Sequence, residues 1–294
     1  MDNNPEFSNV SYAGVACASI VFEISMTIVD LTPDYWKFLS GEASFEEYRT
    51  TNMALFDHYL KFWSDGENLY TSFSFEEVKA RQELIVRHLI AADERLQENG
   101  FLTEDLSAIL FVGDHSANGH AFLDNGKPVA WFAIECFATE LEAKIFTLHE
   151  LIHALHYAAR PEFAFNTMEQ KRYVSRQLIS EGIATYLTKR LWNVNDDVAL
   201  WADKLSPAQL HSWMTACQNS EKELFQFVAA NFDSSDPSIH IFHAANPKDI
   251  YSYRAGYYAG LKLIESIALD NNFNDLELIN TPLAEMKQLV WNTL

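Results

Sequence analysis

Between residues 20 and 28 the chain alternates, with apolar Ile20, Phe22, Ile24, Met26 and Ile28 set against polar Glu23, Ser25 and Thr27. A period of two predicts a half-buried strand. The spacing then becomes helical, and three start signals punctuate it: Thr32-Pro33, Ser44-Phe-Glu-Glu47 and Ser74-Phe-Glu-Glu77, the last two being capping boxes. Residues 33–99 therefore read as mostly helical, closed by Asn99-Gly100. Ala108–Val112 and Val129–Ile134 read as strands, with Gly113, Asn118-Gly119 and Asn125-Gly126 marking turns between them. From Ala143 to Arg160 the chain is apolar on nearly every side of a helix that must end before Pro161, the pattern of a buried helix. Helical spacing returns over 169–192, 205–232 and 251–294, broken by Asp233-Ser-Ser-Asp-Pro237 and Asn246-Pro247. The expected fold class is α+β. An N-terminal lobe, residues 1–160, carries a small mixed sheet and helices and ends in the central apolar helix; residues 161–294 form an all-helical C-terminal lobe.

That central helix contains His149-Glu150-Leu-Ile-His153. Residues four apart on a helix lie one above the other, so two imidazoles can reach one ion. Glu150 sits at the edge of the same face, placed to take a proton from a water polarised by a zinc ion. Two histidines and a glutamate inside a buried helix carry a desolvation cost that a bound metal offsets. A catalytic zinc also needs a third protein ligand. The pattern in which a third histidine follows shortly after is excluded, because His156 stands where a glycine is required and Ala159 where that histidine would be. The best third ligand is Glu181 in Ser180-Glu-Gly-Ile-Ala184, a carboxylate within an apolar helix whose small residues, Gly182 and Ala184, let it approach the first helix; Glu162 and Glu169 lie in less apolar surroundings. Later, Tyr251-Ser-Tyr-Arg254-Ala-Gly-Tyr257-Tyr-Ala-Gly260 offers donors for a developing oxyanion in Tyr257, Arg254 and Tyr253.

Composition narrows the partners. The 294 residues are 48% hydrophobic and 14% aromatic, which excludes a disordered chain. A net charge of −20 argues against nucleic acid as a partner. Cys17, Cys136 and Cys217 are far apart and odd in number, which favours packed thiols in a reducing compartment over a disulfide scaffold. The N-terminus lacks the basic segment of a signal peptide, and Glu23 interrupts the one apolar stretch that invites a membrane reading. A cytoplasmic protein without a membrane span is expected, its oligomeric state open.

His149-Glu-Leu-Ile-His153 followed by Ser-Glu181-Gly-Ile-Ala resembles the gluzincins, zinc peptidases whose third ligand is a glutamate on the next long helix, and within them the bacterial predicted Zn-dependent protease domains that carry an E-G-x-A segment. The resemblance spans residues 108–265 in kind, with only the two motifs specific. It implies a zincin-like fold, one Zn2+ per chain on His149, His153 and Glu181, Glu150 as general base, and a peptide or protein substrate. It also implies that the strand before the metal helix, Val129–Ile134, is a sheet edge that pairs with substrate, and its G-Y-x-x-G segment points to Tyr257. The separation between the motifs is longer than in thermolysin-like members. Two other readings stand beside this one. A catalytically silent protein of the same fold would use the site structurally or to bind peptides. A deformylase-like amidase would need a cysteine ligand, for which Cys136 is the nearest candidate.

Overall fold

The computed structural model of the protein describes residues 24–64 and 72–294. Ile20, Phe22 and Cys17 lie outside the described residues, so the expected first strand is seen only as β1, Thr27–Asp30. Helices α1 (Thr32–Leu39), α2 (Phe45–Thr50) and α4 (Phe75–Glu98) begin at the three predicted signals. Both capping boxes are formed, with Ser44 accepting from the Glu47 N–H and Ser74 from the Glu77 N–H. A fourth helix, α3 (Met53–Phe62), starts where the Asn52 side chain accepts from the Leu55 N–H at 3.0 Å.

The sheet contains β2 (Ser107–Phe111), β3 (Gly119–Asp124) and β4 (Lys127–Ala133) in the order β1-β2-β4-β3. β1, β2 and β4 run parallel, and β3 is antiparallel to β4. Two expectations change here. The segment 119–124 was not anticipated as a strand, and because it folds back onto β4, the strand before the metal helix is paired on both sides. Among the described residues the edge strands are β1 and β3. The cause of the fold-back is the Asn125-Gly126 turn, where both residues have positive φ (50° and 82°), the twist that suits a two-residue hairpin.

The apolar helix is α5, Glu140–Ala159, started by Thr139 accepting from the Glu142 N–H at 3.1 Å and stopped at Arg160 before Pro161. Beyond it the described chain is mainly helical, with α6 (Met168–Arg172), α7 (Val174–Trp192), α8 (Asp196–Trp201), α9 (Pro207–Asn219), α10 (Glu221–Ala230), α11 (Ala255–Asp270), α12 (Asp275–Asn280) and α13 (Leu283–Thr293), and a longer irregular segment, residues 231–254, between α10 and α11. The architecture is mixed α and β, with thirteen α-helices and a small four-stranded mixed sheet among the described residues. One continuous apolar core runs through it, with Trp131, Phe111 and Phe132 of the sheet fully buried. None of the described helices is long and apolar enough to cross a membrane.

Three helices position the site. α5 lies against β3 and β4 on one side and α7 on the other, and α11 packs along α7. The α7–α11 contact is glycine on glycine: a Cβ on Gly182 would stand 2.6 Å from the Gly260 carbonyl oxygen, and one on Gly260 would stand 2.6 Å from the Leu178 carbonyl oxygen. Gly182 therefore admits α11, not the metal helix as its sequence context suggested.

Candidate metal centre

On α5, one turn of helix brings His149 and His153 onto the face that meets α7, and α7 presents Glu181 to both. His149 Nε2 lies 3.1 Å from His153 Nε2 and 3.1 Å from Glu181 Oε2, and His153 Nε2 lies 3.2 Å from the same oxygen. The three ligand atoms thus form a nearly equilateral triangle. A tetrahedral site with ligand distances of about 2.0–2.1 Å has ligand atoms about 3.3 Å apart, so the triangle is the right size for one small ion. All three side chains are enclosed, His153 at 1% exposure, His149 at 6% and Glu181 at 13%. This buried group can hold a metal ion, and its donor set of two imidazoles and a carboxylate is compatible with zinc.

The electrostatics favour a cation there. Burial raises the Glu181 carboxyl, but His153 and His149 outweigh it and hold Glu181 well below the usual carboxylate range. At Glu150 burial wins: its Oε2 has no hydrogen-bond partner, and desolvation, opposed by His153 and Arg254 and reinforced by Glu181, raises it to about 8. An enclosed carboxyl without a partner, beside a second carboxylate, is unfavourable unless positive charge lies close.

Neighbouring residues hold one of the two histidines in place. Ser180 Oγ lies 3.1 Å from His153 Nδ1, and Tyr157 Oη 3.2 Å from Ser180 Oγ. With the ring proton on Nδ1 and directed at Ser180, His153 Nε2 is left as a lone pair facing the centre of the triangle. His149 Nδ1 has no such support among the described residues. Gly119 at the start of β3 lies over Glu150: a Cβ there would come within 2.8 Å of Glu150 Cγ. Neither Ser180 nor Gly119 was assigned a role from the sequence. For Ser180 the signal was its place beside Glu181 on a helix facing a histidine; for Gly119 only the Asn-Gly turn signal existed.

The remaining candidates separate cleanly. Tyr257, on α11, has its ring 6.5 Å from that of His149, and its hydroxyl has no hydrogen-bond partner among the described residues. Arg254 caps α11 in a left-handed conformation (φ 59°), its guanidinium 4.2 Å from the Tyr257 ring centre and 4.7 Å from that of Trp201. Tyr253 packs on Trp201, 5.2 Å between rings. Glu162 caps the Leu283 N–H at 3.3 Å, and Glu169 accepts from the Tyr173 hydroxyl at 3.3 Å; neither joins the triangle. His156 is a core residue, its ring 4.1 Å from that of Phe163. Cys136 lies by His115 and the Ala117 carbonyl, outside the cluster.

No family model matches the chain, and neither a curated protein nor a solved structure matches it.

Proposed function

We propose that the protein is a zinc-dependent peptidase of zincin-like architecture, with one ion per chain held by His149, His153 and Glu181, acting on a peptide or protein substrate. The observation that carries the reading is the convergence of three ligand atoms at 3.1–3.2 Å beside a buried carboxyl, Glu150, whose second oxygen is unpartnered. When bound, the ion supplies a Lewis acid that polarises the scissile carbonyl and acidifies a water. Glu150 would accept a proton from the attacking water and hand it to the leaving amine. Burial suits Glu150 to the task, because a carboxylate drawn from solvent is a stronger base than one in water. The Tyr257 hydroxyl donates to the oxyanion. Ser180 fixes the His153 tautomer, and Gly119 leaves room for the base.

The test combines metal analysis with cleavage of a peptide library. The wild type is expected to carry about one zinc per chain, Glu181→Ala to lose it, and Glu150→Gln to keep it while losing hydrolysis, because the amide cannot accept a proton. Equal turnover by Glu150→Gln and wild type refutes the base assignment. Full occupancy without cleavage of any peptide by wild type favours the silent, peptide-binding reading.

A further inference from the structure

We infer that Arg254 is the specificity residue of this site and recognises a carboxylate of the substrate near the bond to be cut; the inference rests on the peptidase reading. Two aromatic rings, Trp201 at the end of α8 and Tyr257 on α11, hold the guanidinium. Such contacts take up none of its five N–H donors, which lie in the plane of the group. Among the described residues no carboxylate and no carbonyl takes any of them. That is unusual in a chain with a net charge of −20, where acidic partners are plentiful, and nearby cations do find them: Lys189 and Lys262 both bind Asp196 at the other end of α8. A planar fork of donors held by two rings and without a protein acceptor matches a carboxylate in two-point contact.

Position supports the same conclusion. Arg254 is linked to the metal centre by a single ring, lying 4.2 Å from Tyr257, which lies 6.5 Å from His149. At about 3.3–3.6 Å per residue of extended chain, no more than about three substrate residues separate the fork from the ion. The backbone is arranged to hold it there. Arg254 adopts positive φ, which costs on the order of 1 kcal/mol or more for a residue other than glycine. Its N–H donates to the His243 carbonyl at 2.7 Å, and the following Gly256 N–H donates to the Ile241 carbonyl at 2.9 Å. Gly256 is itself pressed against the Phe242 ring, which a Cβ would meet at 2.5 Å. The segment 241–244 therefore fixes the start of α11 and with it the direction of the Arg254 side chain. Two sources present the same chemistry: the α-carboxylate of a peptide C-terminus, and the side chain of an acidic residue.

The experiment uses the zinc-loaded protein and four matched peptides: free or amidated at the C-terminus, and with Glu or Gln within three residues of the cleaved bond. Wild type is expected to favour one carboxylate peptide over its neutral twin by about ten- to a hundredfold in kcat/KM, the range of a charged hydrogen-bonded pair. Arg254→Met should remove that preference, and Arg254→Lys should restore only part of it. Preference for the free terminus marks action at chain ends, and preference for Glu over Gln marks recognition of an acidic side chain. Equal kcat/KM for each pair in wild type, or an equal loss on all four peptides in Arg254→Met, overturns the proposal; the second result would make the arginine a catalytic donor. Calorimetric binding of the same peptides to Glu150→Gln, with and without Arg254→Met, separates the proposal from the peptidase reading. If nothing is cleaved yet carboxylate peptides bind at least tenfold tighter through Arg254, recognition stands and the reaction falls. Equal binding of all four sinks the inference.

Discussion

Glu150 and Glu135 are both carboxyls drawn out of water, and what each faces separates their roles. Glu150 lies against Gly119 at the start of β3 and is influenced by the charges of His153, Glu181 and Arg254. Glu135, between β4 and α5, accepts from the N–H groups of Gly113 at 2.9 Å and His115 at 3.1 Å through one oxygen, while the other has no partner. Burial outweighs those two bonds, and Asp114 adds to it, so Glu135 is pushed up to about 7. A carboxyl raised on folding contributes stability at low pH, below about 4.5, and loses it as the pH climbs through 7. Across that window the ionisation costs on the order of 3 kcal/mol. Glu135→Gln keeps the accepting oxygen and removes the charge, so urea unfolding should show wild type losing stability between about pH 4.5 and 7 relative to the variant. Parallel profiles would show that Glu135 carries no such cost. At Tyr257 the hydroxyl alone is at issue. Tyr257→Phe should lower kcat about 10²–10³-fold and leave KM nearly unchanged; normal turnover would remove it from the reaction.

At the scale of elements, helix starts were legible because capping is local: Ser44 and Ser74 each act within three residues, whereas Thr139, which starts α5, was passed over. The strand β3 was not. Its residues Gly-His-Ala-Phe-Leu-Asp lack alternation, and four of the six are buried, so only pairing with β4 reveals it. The edge assignment moved for the same reason, since neighbours in a sheet are set by contacts distant in sequence. Gly182 announced a close approach, but its partner is Gly260 on α11 and not the helix of the two histidines. The glycine crossing of α7 and α11 now predicts that Gly182→Ala, whose Cβ would stand 2.6 Å from a carbonyl oxygen on α11, destabilises by about 1–3 kcal/mol. Glu181 is the next residue, so the variant should also bind zinc more weakly. An unchanged urea midpoint together with unchanged zinc affinity would place the crossing elsewhere.

For the whole molecule, the metal triangle ties the helix that packs on the sheet to the helix that carries α11, so ion binding should stabilise the entire fold. At a free zinc concentration about a hundred times the dissociation constant the gain is about 2.7 kcal/mol, several degrees in melting temperature. A chelator should reverse it in wild type and do nothing to Glu181→Ala; identical melting of the zinc-loaded and chelated wild type would deny the link. Spacing along one helix was enough to bring His149, Glu150 and His153 together, because helical geometry is repeated wherever a helix forms. The apolar surroundings of Glu181 were enough to select it over Glu162 and Glu169. Its meeting with the two histidines, the support of His153 by Ser180, the cover of Gly119 over Glu150 and the free guanidinium of Arg254 all arise where separate elements touch. Periodicity tells which face of a helix is buried, but the rotation of one helix against another follows from packing, which only the folded chain resolves.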